Sequence, residues 1–274
     1  MSTAKAVFYA IDKLDIDDTN HDEIVSNYLV ACKMFLNDMW LVKDHCADLM
    51  LGFIEYPHVE AGLELILPYI PITTHSNFVT SGFTDSSGNH HKTVQFTKAE
   101  LQRAKKFQDL DNRTRLPFSE TSIKPTLLEK GMPRVTLGSI LTLTARTQND
   151  LGLKISHYCS ALESLFTTDN MELSHKLSER VAYFLASTPN KRRELYRQTK
   201  NIYAVRSKVV HGSAISKVGN LSTISKQADT ILRRVFLNLY RKPALDKYFR
   251  KNDTEGLEKY MTYMILGIKK KKSA

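Results

Sequence analysis

The sequence is poor in the residues that build disulfide-linked or metal-held frameworks. Its three cysteines, Cys32, Cys46 and Cys159, are odd in number and widely separated, and the chain has no Cys-x-x-Cys spacing. Disulfide scaffolds need paired cysteines, and structural zinc sites need closely spaced ones. We therefore expect a reduced protein of the cytoplasm, without a metal site and without a cofactor.

Long apolar runs are also missing. No stretch of the sequence approaches the roughly 20 consecutive apolar residues that cross a bilayer. The first residues, Met-Ser-Thr-Ala-Lys, do not show the charged and then apolar pattern of a secretory signal. Apolar residues still make up 42% of the chain, which is enough to bury a core. We therefore expect a folded protein with no membrane partner.

Negative charge is scarce in the second half of the chain. Residues 131–274 carry 26 Lys and Arg against 11 Asp and Glu, a net charge of +15. Residues 1–130 carry 13 against 18, a net charge of −5. A basic half beside an acidic half indicates a polyanionic partner for the basic half. An ordinary solvated surface is the alternative explanation.

Residues 1–111 predict a small mixed α/β module. Apolar residues at three- and four-residue spacing predict one long helix from Asp22 to about Phe53. Alternation predicts a strand over 63–72, and turn residues 85–89 between 77–83 and 91–96 predict a hairpin. Thr97 is a candidate cap for a helix over 98–111. A sensor role, a docking role and simple packing against the rest of the chain all remain open for this module.

Residues 112–133 predict a linker, because Pro117, Pro125, Gly131 and Pro133 interrupt them. From residue 134 to 274 the apolar spacing is helical throughout, and the chain closes on a basic tail, Lys269–Lys272. We therefore predict an α+β protein overall, in which a C-terminal all-α helical bundle follows the mixed α/β module.

Arg206 and His211 carry the chemistry that the sequence suggests most directly. A guanidinium stays cationic and forks onto phosphate oxygens, and an imidazole exchanges protons near neutral pH. These are the two groups that metal-free phosphodiester cleavage needs most. Because Arg206 falls on the apolar stripe of its predicted helix, it should face a cleft, an interface or an acid. Glu163 is the first candidate acid, and Glu179 is a second.

Three segments give this pair a context. They read Ala-Leu-Glu-Ser-Leu-Phe at 161–166, Leu-Ser-His-Lys-Leu-Ser-Glu-Arg-Val-Ala at 173–182, and Ile-Tyr-Ala-Val-Arg-Ser-Lys-Val-Val-His-Gly at 202–212. Their order resembles the HEPN family (higher eukaryotes and prokaryotes nucleotide-binding), in its Apea-like branch, over roughly residues 136–240. Ser207 departs from the pattern, since many members carry Asn, Asp or His there.

The resemblance implies a dimerising helical bundle and an Arg-x4-His ribonuclease centre at Arg206 and His211, supported by Glu163 and Ser207. Members are commonly toxins or antiviral defence effectors, so a regulatory protein or antitoxin is a further expected partner. RNA is the expected substrate. Some members bind RNA or nucleotides without cutting, so a non-catalytic binding or scaffold protein is the alternative.

Helical geometry sets a condition on this site. Five residues of regular helix rotate a side chain by roughly 140°, so Arg206 and His211 do not share a face of one helix. Either the helix ends or distorts near 210–212, or a second subunit completes the site. Basic side chains nearby are candidate contacts for the RNA backbone, although each is also explained as surface charge: Lys176, Arg180, Lys191, Arg192, Arg193 and Lys208.

Overall fold

The computed structural model describes residues 21–49, 52–56, 72–76, 82–112, 132–169, 171–215 and 218–268. Helix dominates these ranges. The helices are α1 His21–Val42, α2 Lys98–Asn112, α3 Arg134–Arg146, α4 Leu151–Phe166, α5 Leu173–Leu185, α6 Pro189–Val210, α7 Leu221–Arg241, α8 Asp246–Phe249 and α9 Thr254–Leu266. A 3₁₀ turn, Pro243–Leu245, links α7 to α8.

The predicted α+β class is wrong, because the described chain is all-α. Within the described ranges, extended pairing is confined to β1 Gly52–Tyr56 and β2 Ile72–Ser76, which run antiparallel with Gly52 opposite Ser76. Two strands of five residues make a ribbon and not a sheet layer. The predicted strand over 63–72 lies outside the described residues apart from Ile72, the first residue of β2.

The predicted hairpin is also wrong where it is described. Asp85 does hold a turn, since its carboxylate accepts the backbone N–H groups of Ser87 at 2.8 Å and Asn89 at 2.9 Å. The flanking residues 82–84 and 91–96 are nevertheless irregular. Thr84 donates its N–H to the carbonyl of Arg146 at 2.8 Å, so this arm is bound to the end of α3 instead of to a second strand.

Helix α1 is shorter than the predicted helix over 22–53 and ends at Val42. After it, side chains take over the backbone hydrogen bonds, which is how polar residues compete with helix. His45 bonds the carbonyl of Leu36 at 2.8 Å through Nε2, and its Nδ1 accepts the N–H of Ala47 at 3.1 Å. Helix α2 agrees closely with its prediction, and Thr97 and Glu100 exchange hydrogen bonds as a capping box.

Helix α4 lies at the centre of the main core and packs against α3, α6 and α7. Its apolar stripe is completely buried, as its spacing predicts: Ile155, Tyr158, Cys159, Leu162, Leu165 and Phe166. Asp150 begins the helix by accepting the N–H of Leu153 at 2.8 Å. This central position places the last turn of α4, with Glu163, beside the last turns of α6.

The N-terminal side of the predicted linker also contributes to this core. Trp40 of α1 is 2% exposed, and its indole N–H donates to Asp229 of α7 at 2.6 Å. Residues 113–131, most of the predicted linker, lie outside the described ranges, so the domain division into 1–111 and 134–274 stays a prediction. None of the described helices combines the length and apolarity needed to cross a membrane.

Candidate functional site

The site is built on helix α6, the most basic helix of the described chain. Its 22 residues include seven Lys or Arg and a single acid, Glu194. Pro189 occupies the first turn, where its missing N–H costs nothing. Leu195, Thr199, Ile202 and Val205 are buried against the core, so most of the basic residues lie on the outer faces.

Helix α6 ends in a Schellman motif that fixes the position of His211. Ser213 donates its N–H to the carbonyl of Lys208 at 2.8 Å, and Gly212 donates to Val209 at 3.2 Å. Gly212 has a φ of 63°, a left-handed conformation that favours glycine. The helix therefore ends near 210–212, which is one of the alternatives that helical geometry left open. His211 is the last residue before this turn, and its side chain is exposed.

Arg206 meets Glu163, the acid that the sequence puts first, through one weak contact. Arg206 Nη2 lies 3.4 Å from Glu163 Oε2, and the side chains are 27% and 13% exposed. The Nε of Arg206 and the Oε1 of Glu163 are buried without a hydrogen-bond partner. The guanidinium carbon also lies 5.7 Å from the centre of the Tyr203 ring. Most of the hydrogen-bonding capacity of this guanidinium is therefore unused.

Arg180 shows by contrast what a structural arginine looks like in the same bundle. It is 4% exposed, and its Nη2 lies 2.6 Å from Glu258 Oε2. Its Nη1 donates to the carbonyl of Phe166 at 2.6 Å and to the hydroxyl of Thr168 at 3.0 Å. These bonds join α5 to the end of α4 and to α9. We therefore leave Arg180 out of the RNA-binding set, although the sequence pattern includes it.

Burial shapes the electrostatics around Arg206. Burial raises the pKa of the Glu163 carboxyl, and the positive charge of Arg206 opposes that rise. The thiol of Cys159, one turn earlier on α4, is completely buried, and burial together with Glu163 raises its pKa well above the ordinary value. A buried thiol with a raised pKa stays protonated, and the thiolate is the nucleophilic form. Cys159 is therefore a core residue and not a nucleophile.

Within the described chain, the contacts of Arg206 are with Glu163 and Tyr203 and not with His211. Helix α6 is regular through Val210, so the predicted rotation of roughly 140° between the two side chains holds up to the end of the helix. Of the two alternatives, the structure shows the first as a helix that ends at Val210, with His211 as its C-terminal cap. Completion of the site by a second copy of the chain stays a prediction. Ser207 lies between them on α6 and is half-buried.

The other predicted RNA contacts fall into two groups. Lys191 and Arg193 are exposed on the first turns of α6. Three are engaged within the chain: Lys176 pairs with Asp169 at 2.8 Å, Arg192 donates to the carbonyl of Ala186 at 2.9 Å, and Lys208 donates to the carbonyl of Ala214 at 3.3 Å. The pair of Lys176 and Asp169 is partly exposed on both sides, so it opens at little cost.

The sequence analysis missed an open depression between α5 and α6. Its volume is about 590 Å³, and its lining is Glu172, Leu173, Ser174, His175, Lys200 and Tyr203. A helical stripe at three- and four-residue spacing was available as a signal, since Tyr196, Lys200, Tyr203, Ser207 and His211 follow one another along α6. Tyr196, Lys200 and Tyr203 lie on this stripe before Arg206 and His211, outside the Arg-x4-His motif.

Comparison with known proteins adds no assignment. No family model matches the chain, and searches of curated proteins and of solved structures find no match either. Among the residues that the structure describes, no group of three or more His, Cys, Asp or Glu side chains is placed to hold a metal ion. The case for a function therefore depends on the chemistry of α6 and its neighbours.

Proposed function

We propose that this protein is a metal-independent endoribonuclease of the HEPN type, which cleaves RNA in a dimeric cleft that contains Arg206 and His211. The observation that carries the proposal is the unused guanidinium of Arg206. It has one contact of 3.4 Å, a buried Nε without a partner and 27% exposure, on the most basic helix described. A phosphate offers such a guanidinium the paired oxygens that Glu163 does not provide.

The reaction needs three events around one phosphate. An imidazole of His211 takes the proton of a ribose 2′-hydroxyl, and the 2′-oxygen forms a bond to the adjacent phosphorus. Arg206 stabilises the negative charge that grows on the non-bridging oxygens. The bond from phosphorus to the 5′-oxygen breaks, and that oxygen takes a proton from the second His211 of the dimer or from the same one. The products carry a 2′,3′-cyclic phosphate and a 5′-hydroxyl.

The placement of the residues supports a two-subunit site. One chain presents Arg206 and His211 on different faces of α6, and His211 is exposed beside Val210, which is 58% exposed. An exposed apolar residue next to an exposed histidine at a helix end is consistent with contact to a second copy. On this proposal the protein is a cytoplasmic toxin or antiviral defence effector, restrained by a regulatory protein or antitoxin.

One observation favours a second function from another class. Glu163 lies 3.4 Å from Arg206, and the described contacts of Arg206 do not include His211. A protein that keeps this arrangement would use its basic surface to bind RNA, or serve as a scaffold, without cutting. The two functions differ in one respect that an experiment decides, which is whether bound RNA is cleaved.

The test is to incubate the purified full chain with single-stranded RNA in EDTA and to map the fragment ends. Cleavage that survives EDTA and leaves 2′,3′-cyclic phosphate and 5′-hydroxyl ends supports the enzyme, as does its loss on 2′-deoxy substitution at the cut site. Arg206→Ala and His211→Ala should each lower the rate about a hundredfold or more. Lys226→Ala, which removes an exposed charge from α7, is the matched control. RNA that is bound and left intact would instead establish the binding protein.

A further inference from the structure

The depression between α5 and α6 has the chemistry of a nucleotide site. It opens between the first turn of α5, with Glu172, Leu173, Ser174 and His175, and the outer face of α6, with Lys200 and Tyr203. None of these residues belongs to the Arg206 and His211 pair. The depression is therefore a further part of the surface of α6, and it adjoins Arg206 through Tyr203, whose ring centre lies 5.7 Å from the guanidinium carbon.

One wall of the depression is the positive end of α5. The residue before the helix, Glu172, has a left-handed φ of 49°, and no side chain caps the helix start. The carbonyl of Glu172 accepts the N–H groups of His175 at 2.9 Å and Lys176 at 3.0 Å. The earlier N–H groups, those of Leu173 and Ser174, thus remain for a ligand. Such N–H groups, together with the helix dipole, favour a phosphate oxygen.

The other wall supplies a cation and aromatic rings. The ammonium group of Lys200 lies 6.0 Å from the centre of the Tyr196 ring. The Tyr196 hydroxyl is 3.0 Å from His175 Nδ1, a hydrogen bond that links α6 to α5 and orients the histidine. Tyr203 is partly buried against the core and lines the depression, so its ring offers a surface on which a base can stack.

The position of the depression on α6 relates it to His211. Three turns of helix separate Lys200 from His211, so the two side chains leave the helix within about 20° of each other and about 16 Å apart along its axis. Ser207 lies on the same face between them. A strand of RNA that follows this face passes from the depression to His211.

We propose that this depression binds one nucleotide of the RNA substrate a few positions away from the cleaved bond. The phosphate lies between Lys200 and the first turn of α5, and the base stacks on Tyr203 with His175 at the edge. The inference rests on the proposed function for the identity of the ligand. Among the lining residues, Glu172 opposes phosphate binding, because its negative carboxylate lies in the lining of the proposed phosphate site.

The experiment measures binding of a fluorescent RNA with 2′-O-methyl groups throughout, which is not cleaved, by anisotropy at several salt concentrations. Tyr203→Leu should weaken binding roughly tenfold through lost stacking. Lys200→Ala should weaken it several-fold and reduce the salt slope by about 1. His175→Ala, at an exposed position, should weaken it to a smaller extent, and Glu172→Gln should strengthen it. Lys226→Ala is the control for loss of a positive charge elsewhere.

Separate arms identify the source of the nucleotide. Inorganic phosphate and adenosine monophosphate, added as competitors, should displace the RNA only at far higher concentrations than an unlabelled strand of the same sequence. Displacement by the mononucleotide at concentrations equal to the strand's would overturn the RNA assignment. Equal losses in Lys200→Ala and Lys226→Ala, with no change in Tyr203→Leu or His175→Ala, would overturn the site itself. Thermal unfolding of each variant confirms that it is folded.

The outcomes separate this inference from the proposed function. If the wild-type protein binds the RNA through Lys200 and Tyr203 but does not cut an unmodified strand, the nuclease is refuted and the depression stands. If it cuts, and the depression variants bind, cut and choose sites as the wild type does, the depression is refuted and the nuclease stands. If it does not bind RNA, both are refuted.

Discussion

Arg206 and Glu163 face each other across the last turns of α6 and α4, joined by one contact of 3.4 Å. On each side a buried polar atom, Arg206 Nε and Glu163 Oε1, has no partner. A pair that served stability would satisfy these atoms, because an unpaired buried polar group is costly. Arg180 and Glu258, in the same bundle, show the satisfied form. We connect the unsatisfied polar atoms of Arg206 and Glu163 with function.

The first prediction contrasts these two arginines in stability. Arg206→Ala should change the free energy of unfolding by no more than about 1 kcal/mol, because the ion pair is a single contact of 3.4 Å between side chains that both keep some exposure to water. Arg180→Ala should lower the free energy of unfolding by roughly 3 kcal/mol. It removes the hydrogen-bond donor of the Phe166 carbonyl and leaves a buried cavity. Urea titration of both variants measures the difference. Equal losses would mean that Arg206 is a structural residue.

The second prediction concerns acid. Burial lowers the pKa of His45 to about 3 from its ordinary value of 6.5, and the charge of Arg146 adds to the effect. The hydrogen bonds of His45 also favour the neutral ring, because Nδ1 accepts the N–H of Ala47 and a proton on Nδ1 would break that bond. Between about pH 6.5 and 3 the unfolded chain therefore binds a proton that the folded chain does not.

Stability should fall as the pH drops through that window, by on the order of 4 kcal/mol from this group when pH 3 is reached. His45→Gln keeps a donor and an acceptor but does not titrate, so its stability should depend less on pH between 6.5 and 3. Urea titrations at a series of pH values make the comparison. Parallel curves for the variant and the wild type would show that His45 is not the group responsible.

The third prediction concerns the contact between the N-terminal helix and the bundle. Asp229 is 1% exposed and accepts hydrogen bonds from Trp40 at 2.6 Å and from Tyr158 at 3.2 Å, beside Arg233. Burial raises the pKa of the Asp229 carboxyl, and Arg233 opposes that rise. Trp40→Phe keeps the ring and removes the indole N–H, so it should cost about 1 to 2 kcal/mol.

A double-mutant cycle with Asp229→Asn isolates this contact. The two substitutions should be non-additive in the free energy of unfolding by about 1 kcal/mol, as expected for residues in direct contact. Strict additivity would mean that Trp40 and Asp229 do not interact, and it would favour the predicted division of the chain near 112–133 into independent domains. Non-additivity means that α1 stabilises the C-terminal bundle.

Local sequence signals predicted helix positions and ends well where residues of the same helix determine them. The apolar stripe of α4, the Thr97 start of α2 and the Gly212 end of α6 all depend on spacing or on a cap within a few residues. Glu163 as the partner of Arg206 is not local, since it joins α4 to α6, but it was within reach because both residues lie at the apolar stripes of their helices. These features were within reach because the physics that fixes them is local or periodic.

Non-local contacts account for the misses. Residues 82–96 alternate and contain a turn, yet Thr84 bonds to the end of α3, more than sixty residues later, and no local pattern shows that choice. The early end of α1 depends on how His45 folds back onto the carbonyl of Leu36. The depression at Lys200 was missed for a similar reason, because four of its six lining residues lie at the start of α5.

The central claim is that one subunit's Arg206 works with the other subunit's His211. The most direct measurement uses mixed dimers that carry Arg206→Ala in one differently tagged chain and His211→Ala in the other, purified by both tags and incubated with RNA in EDTA. Sedimentation should first show particles of twice 31.3 kDa. Each parent dimer lacks one residue type entirely and should be inactive. The mixed dimer retains one Arg206 and one His211 in different chains, and we predict that it cuts RNA at a measurable fraction of the wild-type rate. A mixed dimer as inactive as its parents, beside an active wild type, would contradict the account.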